Sequence, residues 1–443
     1  MYKRKIEDYL LRWKEDPTHK PIVIKGVRQC GKTSSVKAFA NAHYKHVIYL
    51  DFREHKEYKY FFQPSLKVND IIMRITATFP SLVIDPHNTC FIFDEIQDCP
   101  IARSSLKYFS LDGRYDVLCT GSLLGVNGYK TKEEQQEEDE ASIPVGYESI
   151  VNMYPMDFEE WLWANGIREE HLDYLRKHFQ EETPVEAGLH QRFRQLLLQY
   201  VFVGGMPEAV STFLTTQQIG PLLEVQRRII DSYKADMVKY ARSEDKPRIR
   251  ECFESIPRQL AKENKKFTYT VVRSNGRGKD YVGSLQWIED AGIIRRCYNT
   301  EITELPLDGN AIQDQFKVYM ADTGLFIAML EDGTASSVLQ GNLGAYKGAI
   351  FENLMADIFG KKGRKLYYYH KDSGLEIDFL MRYNDECTLI ECKATNGNAK
   401  SLKTVLKHPE KYHVFHALKF GDYNVGRDGA TLTLPFYMAY LID

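Results

Sequence analysis

No apolar run in this 443-residue chain approaches the ~18 residues that a bilayer-spanning helix needs, so no membrane partner is expected. The amino-terminal stretch Met1–Leu11 has no uninterrupted apolar segment and no small-residue cleavage site. It reads as a short amphipathic helix and not as a secretory signal. Excess charge of either sign is also missing: 58 Lys and Arg stand against 61 Asp and Glu, for a net charge of −3. That balance supplies no global field for nucleic acid and leaves only local basic patches to consider. The eight Cys are scattered, without CxxC pairs or metal-ligand spacing, and Cys90, Cys119 and Cys392 sit inside apolar, strand-like runs. Buried free thiols in a reducing cytoplasm are the expectation, and the protein is read as cytoplasmic. No internal repeat is found.

What is present is material for several cores. Hydrophobic residues make up 43% of the chain and charged residues 27%, with 28 Tyr and 23 Phe. At roughly 150 residues per domain, this length suggests two to four domains. Residues 21–51 follow a strand–loop–helix–strand order, from Pro21-Ile-Val-Ile-Lys25 to Val47-Ile-Tyr-Leu-Asp51. Cys90–Asp94, Tyr115–Thr120 and Ser149–Tyr154 are further strand candidates. Strands spaced by helical segments predict a parallel sheet with helices on both faces and a ligand at the carboxyl ends of the strands. Residues 131–142 form an acidic low-complexity patch, read as a solvated loop with a partner site as the alternative. Gln180–Gly188 has linker composition. From about 190 to 330 helical periodicity dominates. Within it, Ser255–Tyr298 has a helix–turn–helix–strand order that suits a winged-helix-like unit or any small helical bundle. From Gly348 the pattern becomes helix, strand, strand, helix, which suggests an α/β domain.

Gly26-Val-Arg-Gln-Cys-Gly31-Lys32-Thr33 fits GxxxxGK[ST] between an apolar strand and a helix. In such a P-loop the glycines let the backbone wrap closely round phosphates, with amides turned inward at a helix N-terminus. Gly26, Arg28, Gln29, Cys30, Gly31, Lys32, Thr33 and Ser34 are the candidate nucleotide-binding residues. Lys32 is expected to meet the β/γ-phosphates, and the Thr33 hydroxyl to ligate Mg²⁺. Arg28 has two readings, a phosphate contact or a partner for a nearby acid. Cys90-Phe-Ile-Phe-Asp94-Glu95 ends a buried strand in two carboxylates. Asp94 is expected to hold Mg²⁺ through water, and Glu95 to polarise the attacking water as general base. Thr120 and Ser122, closing the next strand, would either sense the γ-phosphate or serve only as caps.

On these residues the chain resembles a bacterial and archaeal family of AAA-type ATPases with a carboxyl-terminal domain of unknown function. The segments that carry the resemblance are Gly26–Thr33, Phe93-Asp-Glu-Ile-Gln97, Thr120-Gly-Ser-Leu-Leu-Gly125 and Tyr154-Pro-Met-Asp-Phe-Glu-Glu160. Gly204-Gly-Met-Pro-Glu208 and Ala321-Asp-Thr-Gly-Leu325 fit the same pattern. The resemblance covers most of the chain and implies an AAA+ core followed by a helical and winged-helix region. A second sensor arginine and an arginine finger are not recognisable, which leaves ring assembly without support.

The carboxyl-terminal third carries a second constellation: Glu352 in a helical segment, then Glu376-Ile-Asp378, then Glu391-Cys-Lys393. Glu391 and Lys393, two apart in an apolar strand, project from one face. Asp378 belongs to the preceding strand of a hairpin turning at Asn384-Asp385-Glu386. This resembles the PD-(D/E)xK nuclease pattern. The resemblance implies Asp378 and Glu391 as Mg²⁺ ligands with Glu352 as the preceding helix acid, and Lys393 orienting water or stabilising negative charge. The alternative is a plain Glu391–Lys393 salt bridge on a sheet face. His370 reads as an ordinary surface or packed histidine. The basic stretches Arg273–Lys279 and Lys262–Lys266 are either phosphate contacts or solvated loops.

The expected fold class is thus α/β: a P-loop AAA+ parallel-sheet domain over 1–185, a helical and winged-helix-like domain over 186–335, and a restriction-endonuclease-like α/β domain over 336–443. The expected function is an ATP- and Mg²⁺-dependent hydrolase whose cycle controls a nuclease-like domain acting on DNA. A regulatory ATPase with a catalytically silent terminal module that binds a protein partner is the alternative. A remodelling motor is a third reading, disfavoured by the missing arginine finger.

Overall fold

Five short apolar runs become the parallel sheet of the amino-terminal part: β1 (Ile22–Gly26), β2 (His46–Asp51), β3 (Thr89–Asp94), β4 (Asp116–Ser122) and β5 (Ser149–Asn152). Their order is β2-β3-β4-β1-β5, with every pairing parallel. Successive side chains of a strand alternate between faces, and here both faces are apolar. Val23, Phe91, Phe93, Val117 and Cys119 join one buried cluster with the helices Val68–Thr78 and Pro100–Asp112. Ile22, Ile24, Cys90, Ile92 and Leu118 join the other, with the helices Lys5–Glu15 and Lys32–His43. That is why these strands read as continuous hydrophobic runs and not as alternating ones.

The computed structural model describes residues 2–126, 144–241, 245–262, 264–340, 346–393 and 399–442. The acidic run 131–142 lies outside them. The chain divides into two compact units, Met1–Pro155 with Val238–Ala241, and Met156–Met237 with Arg242–Asp443.

The second unit is built on an eight-stranded mixed sheet of β6 (Ile294–Thr300), β7 (Ala311–Met320), β8 (Leu366–His370), β9 (Glu376–Tyr383), β10 (Glu386–Lys393), β11 (Ala417–Gly421), β12 (Gly426–Asp428) and β13 (Thr431–Pro435). The order is β12-β13-β11-β10-β9-β8-β6-β7. Two strands depart from the sequence reading. β7 lies in a stretch read as helical, and β8 adds a third strand between the helices Lys347–Lys361 and Lys400–Leu406. β8 is Leu-Tyr-Tyr-Tyr-His, a run of β-favouring aromatics with no aliphatic alternation to mark it. The helices Lys246–Leu260, Tyr269–Val272 and Gly278–Asp290 precede the antiparallel β6–β7 pair, which is continuous with the carboxyl-terminal strands. The β9–β10 turn is made by Asn384 and Asp385 alone, both at positive φ (50° and 63°), and Glu386 already belongs to β10. Asn and Asp tolerate that left-handed conformation best among residues with a side chain.

All eight cysteines are free; seven are buried and Cys392 is partly so. Among the described residues no helix is long and apolar enough to cross a membrane.

Candidate functional site

The loop after β1 is shaped by backbone that few residues adopt. Gly31 sits at φ 96° and Gln29 at φ 63°, the turn that delivers the chain into the Lys32–His43 helix. Gly26 is required for a different reason: a Cβ there would stand 2.2 Å from the Met153 carbonyl oxygen. Lys32 is buried, and its Nζ donates to the carbonyls of Gly26 (3.0 Å) and Val27 (2.9 Å), so the ammonium lies against the loop. Cys30 is buried and turns its Sγ to Met153 O, while Gln29 and Ser34 are exposed and Arg28 is partly buried.

A residue that the sequence did not single out braces this loop. Arg4, only 5% exposed, donates from Nη1 to Cys30 O at 2.9 Å and from Nη2 to Tyr154 O at 2.7 Å. It precedes the first helix, and nothing in its local sequence marks it.

Asp94, at the end of β3 and 3% exposed, is where the separate segments meet. Thr33 Oγ1 donates to its Oδ1 at 2.9 Å, Thr120 Oγ1 donates to the same oxygen, and Tyr49 OH donates to Oδ2 at 2.6 Å. Tyr49 also reaches Asp51 Oδ2 at 3.1 Å. Burial, together with these carboxylates, pushes its phenol well above the ordinary range, so it stays a neutral donor. The Tyr49-Leu50-Asp51 pattern, polar residues in an otherwise apolar strand, was the available signal for it. Ser122 is buried at the end of β4.

Glu95 takes a left-handed backbone, φ 53° and ψ 50°, which turns it out of the strand direction. Its Oε2 lies 2.6 Å from Arg53 Nη2 and accepts Gln97 Nε2 at 2.5 Å, and its N–H donates to Thr120 Oγ1 at 3.4 Å. Thr33, Asp94, Glu95 and Thr120 are therefore one hydrogen-bonded group. Thr33 and Asp94 present hard oxygen donors side by side, the donor chemistry that suits Mg²⁺.

In the second unit, Glu352 projects from the Lys347–Lys361 helix and is 5% exposed. Lys265 Nζ donates to its Oε1 at 2.6 Å, Tyr319 OH donates to Oε2 at 3.1 Å, and Lys317 Nζ stands 3.6 Å from Oε2. Burial alone would raise the Glu352 carboxyl, but the Lys317 and Lys265 ammonium groups outweigh it and hold it below the usual range. Lys317, with no exposed side-chain surface, also donates to Glu376 Oε1 at 2.7 Å.

Asp378 accepts the Cys392 N–H through Oδ2 at 2.8 Å. Burial pushes its carboxyl well up, reinforced by the charges of Glu352 and Glu391. Glu391 is 4% exposed and paired through Oε1 with Lys393, and burial raises its carboxyl against that pairing. Glu391 Oε2 is buried with no hydrogen-bond partner among the described residues. Asp378 and Glu391 thus fit a cation: a buried oxygen lacks a donor, and both carboxyls are costly as bare anions.

Glu352 differs from its expected role. Among the described residues no group of three or more His, Cys, Asp or Glu is placed to hold a metal ion. Glu352 is instead paired with two lysines, Lys265 and Lys317. Lys317 escaped the sequence reading, since an isolated Lys in a strand is ordinarily placed on the solvent face, and Lys265 was read only as part of the basic stretch Lys262–Lys266.

The remaining candidates take the following positions. His370 ends β8, where its backbone N–H donates to Asn299 Oδ1 at 2.8 Å. Lys262 folds back onto Gln259, the Lys266 carbonyl and Thr268. Arg273 is exposed, 4.0 Å from Glu251. The motifs Gly204–Glu208 and Ala321–Leu325 meet where Gly205 N–H donates to Asp322 Oδ2 at 2.7 Å.

A family model described as "AAA domain" matches residues 18–162. Two described as domains of unknown function, DUF8612 and DUF4143, match residues 194–336 and 347–437. No curated protein matches the chain. The Walker-type ATPase of Pyrococcus abyssi is 15% identical, over 74% of this chain and 96% of that one, with a TM-score of 0.41. Cdc6p of Pyrobaculum aerophilum is 12% identical, over 76% and 93%, at 0.25. AMPPCP-bound DnaA of Aquifex aeolicus is 11% identical, over 66% and 90%, at 0.27. Overlays at these scores carry no inference about chemistry. The matched segment 18–162 contains the whole Gly26–Thr33, Asp94–Glu95 and Thr120 group, so the similarity to AAA domains falls on the residues of this site.

Proposed function

We propose that the chain is an ATP hydrolase that works with Mg²⁺ through the group assembled on Asp94. The observation that carries this reading is the convergence of Thr33 from the P-loop helix and Thr120 from β4 on one Asp94 oxygen. The amides of residues 26–33 would cradle the phosphates and Lys32 would pair with the β/γ oxygens. Thr33 and Asp94 would hold Mg²⁺, which would supply neutralising charge at those oxygens. Glu95 would accept the proton of the attacking water, Thr120 would report the γ-phosphate to Asp94, and Arg53 would govern how free Glu95 is to act.

Hydrolysis of ATP by the purified protein tests this directly. Lys32→Ala should lose most ATP affinity, and Glu95→Gln should bind ATP yet turn it over slowly. Normal turnover by both variants would sink the assignment.

For the second unit the proposal is a nuclease-like site on DNA, with Asp378 and Glu391 as holders of a divalent cation and Lys393 beside them as the group that stabilises negative charge. The orphaned Glu391 Oε2 supports it. So does the order helix, β8, β9, β10, helix and parallel β11, with Glu352 on the first helix, Asp378 on β9 and Glu391–Lys393 on β10. The other reading, a silent module that binds a protein partner, is favoured by the two lysines on Glu352. Cleavage of labelled single- and double-stranded DNA with Mg²⁺ or Mn²⁺, with and without ATP, separates them. Cleavage lost in Glu391→Ala supports the nuclease, and no cleavage under any condition supports the silent module.

A further inference from the structure

Glu352, Asp378 and Glu391 each turn one oxygen to a fixed partner in the protein. Glu352 turns Oε2 to Tyr319 and Lys317, Asp378 turns Oδ2 to the Cys392 N–H, and Glu391 turns Oε1 to Lys393. Of the second oxygens, Glu391 Oε2 is buried without a partner among the described residues, and only that of Glu352 is covered by a cation, Lys265 Nζ at 2.6 Å.

Lys265 differs from the other two lysines. Lys317 has no exposed surface and is fixed between Glu352 and Glu376, while Lys393 shares a strand with Glu391. Lys265 arrives from outside the carboxyl-terminal strands, on the segment after the Lys246–Leu260 helix. There Lys266 bridges to Lys317 and Phe267 N–H donates to Phe316 O at 2.8 Å. Its side chain keeps 14% exposure, so the ammonium has a route to water.

Formal charge points the same way. Fully ionised, Glu352, Glu376, Asp378 and Glu391 would carry four negative charges, of which Lys317 and Lys393 offset two. Without Lys265 the remainder matches one divalent cation. With Lys265 in place, Glu352 Oε1 is already occupied by an ammonium.

We propose that Lys265 is a tethered counter-cation that closes the acidic site by occupying Glu352 Oε1. Displacing it opens a site for a hard, oxygen-seeking divalent metal such as Mg²⁺ or Mn²⁺, with Glu352 Oε1, Asp378 Oδ1 and Glu391 Oε2 as ligands. Whatever shifts the segment around Lys265 then sets the metal affinity. The inference rests on the metal reading of Asp378 and Glu391 given above.

Mn²⁺ binding to the nucleotide-free, full-length protein, followed by electron paramagnetic resonance, is the test. Lys265→Met should bind Mn²⁺ about tenfold tighter than wild type, the scale expected when a unit charge beside a cation site is removed. Glu391→Gln in the same chain should abolish the gain, and Lys265→Arg should behave as wild type. A Lys265→Met protein that melts at the wild-type temperature and binds no tighter overturns the proposal, as does a gain that survives Glu391→Gln. Equal Mn²⁺ binding by wild type and Lys265→Met, lost in both on Glu391→Gln, removes the gate and leaves the metal reading standing. Binding by neither removes both. Should Lys265→Met not fold, acylation of Lys265 in wild type by an amine-reactive ester decides: Mn²⁺ should speed it several-fold, and an unchanged rate overturns the proposal.

Discussion

Arg53 Nη2 lies 2.6 Å from Glu95 Oε2, while Arg53 Nε donates to Asp98 Oδ2 at 2.9 Å, so the carboxylate proposed as general base is held in an ion pair. The pair occupies one Glu95 oxygen and fixes the direction of the carboxylate. The pair is partly open to solvent, with side-chain exposures of 35% and 20%, so its strength is modest, about 0.5–1 kcal/mol. Arg53→Ala should therefore raise ATP turnover about two- to fivefold at unchanged ATP affinity. Steady-state hydrolysis alongside nucleotide binding checks this, and a fall in turnover would make Arg53 a residue that positions Glu95.

Tyr49 contributes one of the three hydroxyls on Asp94 and reaches Asp51 as well. Tyr49→Phe removes the donor and keeps the ring, at a stability cost of about 1 kcal/mol. Asp94 would then be less firmly oriented, and the Mg²⁺ concentration giving half-maximal hydrolysis should rise several-fold. A Mg²⁺ titration of turnover that superimposes on wild type would refute this.

Lys361 is, with Lys317, a buried cation of the second unit. Its Nζ lies 2.8 Å from Asp357 Oδ1 and 3.5 Å from Asp322 Oδ2, and it donates to Tyr200 OH at 2.9 Å and Met156 O at 3.2 Å. Lys361→Met leaves two buried carboxylates uncompensated, which should cost about 3–5 kcal/mol. Burial already pushes the Asp357 carboxyl up to about 6. A carboxyl raised by folding binds more protons in the native state, so stability falls as pH rises through that value. The loss in the variant should be smaller at pH ~5 than at pH ~8, as read by chemical denaturation at both.

His19 Nε2 is 2.7 Å from Asp116 Oδ1, and this hydrogen bond raises the imidazole above its ordinary value. A histidine raised by folding adds stability below its unfolded value of about 6.5, and that stability is lost as pH rises through the folded value. Wild type should therefore exceed His19→Gln in melting temperature most at pH ~6, with the gap closing toward pH ~8. A gap that is constant across this range would show that the pair does not titrate in it.

The P-loop was legible because its chemistry is written in eight consecutive residues between a strand and a helix, and Asp94–Glu95 because a buried apolar run ends there in acids. Asp378, Glu391 and Lys393 were legible as a spacing, but their surroundings were not. Lys317 is buried within a strand that helical periodicity concealed, and Lys265 comes from 87 residues before the acid it touches. Arg4 reaches the loop carbonyl of Cys30 over 26 residues and that of Tyr154 over 150. No local pattern encodes such pairs, since a long charged side chain in sequence looks like any solvated one.

The amino-acid sequence by itself determined which segments become the strands of the parallel sheet and where phosphate-binding backbone must lie, because apolar runs and glycine conformations act locally. Only the tertiary structure decided the state of the acids. Charge interactions fall off with distance in space and not along the chain, so it took folding to place Arg53 on Glu95, Tyr49 on Asp94, and Lys265 on Glu352.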